Sequence, residues 1–192
     1  MLMDKIFVSG GSVITGCYLL RLQANKSLSV QFGRFNSGQP ISVPASTYLY
    51  IGSAMGKKGA STLAQRLLRH ATRQNGNPQS IRPLLLARLC AAGLGTNRSQ
   101  VPSQKTLFWH IDYLLEETAV DLTHIIIHRT TTSIENQLAR LLANDPQTRP
   151  LANGLGASDD RGQSHLLHVP ESLTWWQNQI DLVASTDSQN LY

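Results

Sequence analysis

Glu135 occupies a position that calls for chemistry. Behind the cap candidate Ser133, the residues Ile134, Leu138, Leu141 and Leu142 recur at helical spacing, with Asn136, Gln137 and Arg140 on the outward side. Projected on that helix, Glu135 falls between Leu142 and Ala139 at the edge of the apolar face, where a bare carboxylate is costly to desolvate and needs a partner. The plainer alternative is an acid in a first turn, favoured by the helix dipole by about 0.3–1 kcal/mol. A second constellation lies upstream. Leu63, Ala64, Leu67, Leu68 and Ala71 form one apolar stripe, flanked by Arg66, Arg69 and Arg73, with His70 at its edge. A guanidinium can fork two phosphoryl oxygens, and an imidazole titrates near neutral pH, so this ridge suits a phosphate-bearing ligand.

Charge layout points the same way. The 192 residues carry a formal net charge of +5, with a pI near 9.5. From Lys5 to Ile111 there is no Asp or Glu, while Lys57, Lys58, Arg66, Arg69, Arg73 and further cations accumulate. From Asp112 onward the sign reverses. Unneutralised cations are how proteins hold a phosphate polymer. The competing expectation is that the two halves fold back and neutralise one another as surface ion pairs of small individual worth.

At this length, with 41% hydrophobic and 15% charged residues, one core and a single domain over 1–192 are expected. Cys17 and Cys90 lack disulfide-framework or metal-ligand spacing, which fits a reducing, cytoplasmic location. Lys5 followed by an apolar run to Cys17 has some likeness to a lipoprotein signal. Asp4 and the interruption Ser9-Gly10-Gly11-Ser12 weigh against it.

The elements that must position these residues are legible in outline. Cys17 to Leu22 reads as a strand returning through Asn25-Lys26 into Leu28 to Phe32, a hairpin, and Thr47 to Gly52 reads as a third antiparallel strand. Ser61 or Thr62 caps a helix through about Arg73. Residues 75–105, rich in turn formers around an apolar helical piece from Leu84 to Ala92, are expected to be an insertion projecting at the rim. Trp109 to Leu115 is expected to be helical, and Ile125-Ile126-Ile127 to be a strand buried on both faces, with His124 and His128 structural. A short helical tail starts at about Pro170. The fold class is α+β, a small central antiparallel sheet flanked by helices.

Read in order, Gly16-Cys17-Tyr18, Tyr48-Leu49-Tyr50-Ile51-Gly52-Ser53-Ala54, Arg66 and His70 on a helix, Trp109-His110-Ile111-Asp112-Tyr113, Glu135, and Gly154 to Asp159 leading to Ser164-His165-Leu166 resemble the GIY-YIG endonuclease superfamily. The likeness is to the branch also found fused to DNA-repair glycosylases, and it covers most of the chain. Members of that branch often carry two cysteines after the Ser-Asp pair, where this sequence has Asp160 and Gly162, so a metal or redox role there does not transfer.

The resemblance implies metal-dependent hydrolysis of nucleic-acid phosphodiesters, in DNA repair or processing, with catalytic residues Tyr18, Tyr50, Arg66, His70, His110 and Glu135. Physical reasons stand beside each. Glu135 would hold Mg²⁺ or Mn²⁺, since such ions commonly take one or two carboxylates with water and phosphate. Arg66 would clamp phosphoryl charge. Tyr18 or Tyr50 would position or activate water if metal and arginine lower its pKa. His70 and His110 would bind phosphate or relay protons. Gly52 would permit close backbone approach. Asp159 and His165 would brace the site's loop, and Lys57, Lys58, Arg69 and Arg73 would contact the backbone of nucleic acid, DNA before RNA. Two other readings stay open: a nucleic-acid-binding module without turnover, and a domain whose cationic half docks an acidic protein. Steep salt dependence of polynucleotide binding separates the last from the others.

Overall fold

The computed structural model describes residues 4–95, 105–156 and 163–189. Side-chain alternation decides its centre. In β2 (Gly16–Ala24), Tyr18, Leu20, Leu22 and Ala24 join one buried cluster, and Cys17 and Leu19 join another on the opposite face. A strand buried on both faces needs long partners on both edges, and β2 finds them in β5 (Ser46–Ala54) and β6 (Val120–Arg129), antiparallel to each. Gly16 is required for closeness, because a Cβ there would stand 2.1 Å from the His128 carbonyl oxygen.

These pairings overturn the expected hairpin. The segment after Lys26 is only β3 (Leu28–Val30), and it pairs with β4 (Ile41–Val43) in a separate two-stranded sheet. Three residues cannot satisfy the nine-residue ladder of β2, whereas β5 matches it end to end. The main sheet is also mixed rather than purely antiparallel. Ile6–Gly10 forms a strand, β1, parallel to β6, and the sheet order is β1-β6-β2-β5-β8-β7, with β7 (Arg149–Pro150) and β8 (Leu166–His168) at the far edge.

Helices cover both faces, as expected. On the tyrosine-bearing face lie α1 (Leu63–His70), α2 (Arg82–Ala91) and α3 (His110–Glu116), and on the other α4 (Glu135–Ala143) and α5 (Leu173–Gln189). Thr62 stands at the N-cap of α1, but its hydroxyl donates back to the Gly59 carbonyl rather than capping the helix. The 75–105 segment does not simply project. Leu85 and Leu89 of α2 are buried in the same cluster as Leu67 and Leu114, and Lys105 is buried too. Leu141, expected inward, is 42% exposed, so the apolar stripe of α4 narrows to Ile134, Leu138, Ala139 and Leu142. The tail helix is longer than its apolar pattern suggests, because Asp187 is tied to the sheet by His128 at 2.9 Å and Thr130 at 2.8 Å. Among the described residues no helix is long and apolar enough to cross a membrane.

Candidate functional site

Strand β8 pairs with β5 only from Tyr48 to Tyr50. Beyond Tyr50, β5 has no further strand partner on that side among the described residues, and the Ile51 amide donates to the His165 carbonyl at 2.9 Å. Alternation sends Tyr50 and Gly52 to the α1 side and Ser53 to the α4 side. Ser53 is therefore where the two helical layers meet. Its carbonyl accepts from Arg66 Nη1 of α1 at 2.5 Å, and its hydroxyl donates to Glu135 Oε2 of α4.

The partner that Glu135 requires is thus partly supplied. Its other oxygen lies 3.0 Å from His165 Nδ1, and its side chain remains 23% exposed. Burial pushes the carboxyl pKa up, but the hydrogen bonds from His165 and Ser53, with the nearby charges of His165 and Arg66, outweigh burial and hold it below the usual glutamate range. Glu135 is an ionised, half-open carboxylate. Arg66 in turn has a buried Nε without an acceptor among the described residues, a donor that one more anionic oxygen would satisfy.

Tyr18 and Tyr50 sit diagonally on β2 and β5, ring centroids 6.4 Å apart. The Tyr18 hydroxyl is 2.9 Å from His70 Nε2, and His70 Nδ1 faces Asp112 Oδ1 at 3.5 Å. With the imidazole proton on Nδ1, toward the carboxylate, Tyr18 donates and His70 accepts. Both phenols depart from the expectation of a lowered pKa. Burial raises each, that of Tyr18 well above the ordinary value, and the opposing pull of Arg66 is too small to compensate. Burial likewise lowers the pKa of His70 against the pull of Asp112, so the imidazole is neutral at pH 7. Tyr18 is 1% exposed and Tyr50 4%. The Tyr50 hydroxyl has no hydrogen bond among the described residues. The close approach at Gly52 is made by protein: a Cβ there would lie 2.6 Å from the Tyr18 ring.

Other expected residues are distributed differently. Arg69 pairs with Asp112 at 3.0 Å, and its Cζ lies 5.0 Å from the Trp109 ring centre, with that of Arg66 at 4.3 Å. Arg73 is withdrawn from any ligand surface, because its guanidinium donates to the carbonyls of Asn77, Leu115, Glu117 and Val120. His110 accepts the Gly156 amide at 3.0 Å and packs on Phe35, which ties it to these two rather than to the cluster. Lys57 and Lys58 are exposed just past β5, without an ion-pair partner among the described residues. Asp159 lies outside the described residues. His124 and His128 both face α5, through Trp176 and Asp187, in structural roles. Cys17 is buried, and burial foremost, with the charges of Asp187 and Glu135, pushes its thiol up to about 12.

Three contributors have no role assigned from the sequence. Ser53 could have been placed on the Glu135 side by strand alternation from Tyr50. Asp112 and Lys105 are 0% and 3% exposed, and Lys105 reaches Glu116 at 2.7 Å and Asp112 at 3.8 Å. The basic and acidic halves therefore do neutralise one another in part, by burial rather than on the surface. A cavity of about 890 Å³ elsewhere, lined by Lys5, Arg21, Asp121 and Glu171 among others, has its cations matched by acids and so has little pull on an anion.

Among the described residues no group of three or more His, Cys, Asp or Glu side chains is gathered to hold a metal. A zinc-type cage is thereby not formed by them. A single ionised carboxylate beside a hydroxyl fits a largely hydrated hard cation, which needs few protein ligands.

The profile of a protein family described as domain of unknown function DUF123 matches residues 17–186. That span runs from the Cys17-Tyr18 pair through Glu135 and His165 into the tail helix. No curated protein and no solved structure matches the chain.

Proposed function

We propose that this protein, which belongs to the DUF123 family, is a metal-dependent endonuclease of the GIY-YIG type, hydrolysing phosphodiester bonds of nucleic acid, DNA before RNA. The observation that carries the reading is the meeting at Ser53: an ionised, partly exposed carboxylate on one side of a strand and a guanidinium with an unfilled donor on the other.

The roles follow from charge and from hydrogen bonds left unfilled. Glu135 would hold a Mg²⁺ or Mn²⁺ ion, which when bound offsets phosphate charge and acidifies a water. Arg66, anchored on Ser53 by one nitrogen, turns its free Nε to a phosphoryl oxygen and stabilises charge that grows there, a kind of contact whose loss costs about 10²–10³ in rate. Tyr50 offers a hydroxyl free to orient water. Tyr18 stays a neutral phenol behind it, holding His70, and Asp112 fixes the imidazole tautomer. Lys57 and Lys58 supply diffuse attraction to the polymer.

One observation favours a second reading, a binding module without turnover: both tyrosines are almost wholly buried neutral phenols, so neither is ready to act as a base. The two readings separate by incubating the protein with end-labelled single-stranded, duplex and branched DNA and with RNA, in Mg²⁺, Mn²⁺ or EDTA, with Glu135→Ala alongside. Metal-dependent products that the variant fails to make support the nuclease. Retention of polynucleotides without products in any metal supports the module.

A further inference from the structure

Phe108 is 73% exposed, yet it is not a loose surface residue. Its ring meets Trp109 edge-on, with centroids 5.1 Å apart and planes at 76°. Its amide and that of Trp109 both donate to Asp112 Oδ2 at 3.1 Å, and that carboxylate is fully buried and paired with Arg69. The ring therefore projects from a fixed backbone, and little main-chain entropy remains to be lost when something settles on it. Trp109 carries Arg66 against its ring and contacts His70 at 6.2 Å. Through Arg66 the aromatic pair is joined to Ser53 itself.

A lone exposed apolar side chain needs no explanation. An exposed aromatic on a fixed backbone, packed against a Trp109 ring that carries the guanidinium groups of Arg66 and Arg69, does. We propose that Phe108 is a stacking platform for an unpaired nucleobase next to the phosphate held at Arg66, so that the preferred substrate is single-stranded or contains an unstacked base at the cleavage position. This rests on the nucleic-acid reading of the Ser53 site. In a fully paired duplex every base is already stacked on its neighbours, and the ring has nothing to receive. An unpaired base presents a π-face of any sequence, and stacking of this kind is tolerant of base identity. The cations ask for an anionic occupant and the exposed ring for a π-face, which favours this occupant over an acidic peptide that would satisfy the cations but not the ring.

The test uses the full chain in EDTA, so that binding is read without cleavage. A single-stranded oligonucleotide carrying 2-aminopurine, and the same strand in a complete duplex, are titrated with wild type, Phe108→Ala, Phe108→Leu and Phe108→Trp, each first shown by circular dichroism to melt as the wild type does. The expected result is a loss of single-strand affinity of roughly tenfold or more for the alanine variant, with duplex affinity within about twofold. Quenching of 2-aminopurine should disappear in that variant, return with tryptophan and not with leucine. The salt dependence of binding should keep its slope, since no phosphate contact is removed. Equal single-strand affinity of wild type and Phe108→Ala overturns the proposal, as does full rescue by leucine or the absence of polynucleotide binding. Stacking and binding without cleavage under any metal would sink the nuclease reading alone, and cleavage with unchanged strand preference in Phe108→Ala would sink the platform alone.

Discussion

Two carboxylates, the buried Asp112 and the partly exposed Glu135, each stand in the first turn of a short helix and each face a histidine, yet they are built for opposite ends. Asp112 is 0% exposed and enclosed by partners: two backbone amides and Arg69 donate to its Oδ2, His70 and Lys105 stand 3.5 and 3.8 Å from its Oδ1, and the histidine, arginine and lysine hold its pKa far below the usual range in spite of burial. Glu135 is 23% exposed, has one hydroxyl and one imidazole, and forms no ion pair with Arg or Lys among the described residues. Enclosure among several cations and donors makes a carboxylate a scaffold, because no water or ligand can reach it. Under-pairing of a partly exposed one leaves charge available for a ligand. Helix α1 bridges the two, with Arg69 and His70 turned to one carboxylate and Arg66 to the other.

This contrast can be broken or sharpened experimentally. The largest structural effect should come from Asp112→Ala, which removes the buried acceptor of Arg69 and of the Phe108 and Trp109 amides. We expect about 3–5 kcal/mol of lost stability in denaturant unfolding, whereas Glu135→Ala should leave stability within about 1 kcal/mol of wild type. Comparable losses for the two variants would erase the distinction. Next, Arg66→Ala should slow cleavage about 10²–10³-fold at saturating substrate, with Arg66→Lys recovering little because a point charge cannot keep both the Ser53 carbonyl and a phosphoryl oxygen. Full activity of the lysine variant would show that the fork is not used.

Gly52→Ala probes the link between the two regions, since the added methyl would enter the Tyr18 ring that holds His70. About 1–3 kcal/mol of destabilisation is expected, together with slower cleavage. A variant that is stable and fully active would mean that Tyr18 can move without consequence. The smallest effect concerns pH. His124, lowered to about 4 chiefly by burial with Arg21 and Lys5 adding, and His70 and His110, also lowered chiefly by burial, are held neutral in the fold. The unfolded chain takes up their protons near pH 6.5. A depressed folded pKa means stability that is fully present above that value and is lost as pH falls from about 6.5 toward 4. Denaturation midpoints measured between pH 7.5 and 4.5 should decline, and His124→Gln should flatten part of the decline. A flat profile in the wild type contradicts this assignment.

Much of this arrangement was legible before the fold. The apolar stripe of α1 with its arginines, the doubly buried Ile125–Ile127 run and the awkward position of Glu135 are local patterns, and local patterns survive folding. What could not be read was long-range. Nothing in the period of Leu28–Val30 says that its partner is Ile41–Val43 rather than β2, because strand register is settled by which ladders can be completed. The β1 strand hid behind Ser9 and Gly10, whose tolerance comes from parallel pairing at a sheet edge. Arg73 and Arg69 looked like equal members of a cationic ridge. Only the paths of the chain around them show that one is consumed by carbonyl groups and the other by a buried acid.

If the under-paired carboxylate is the working one, removing its charge should abolish cleavage without unsettling the fold. Cleavage of labelled DNA under single-turnover conditions in Mg²⁺ is measured for wild type and Glu135→Gln, with the thermal midpoint of each taken from the same preparation. We predict products from the wild type alone and midpoints that agree. Cleavage by Glu135→Gln at the wild-type rate would contradict the account.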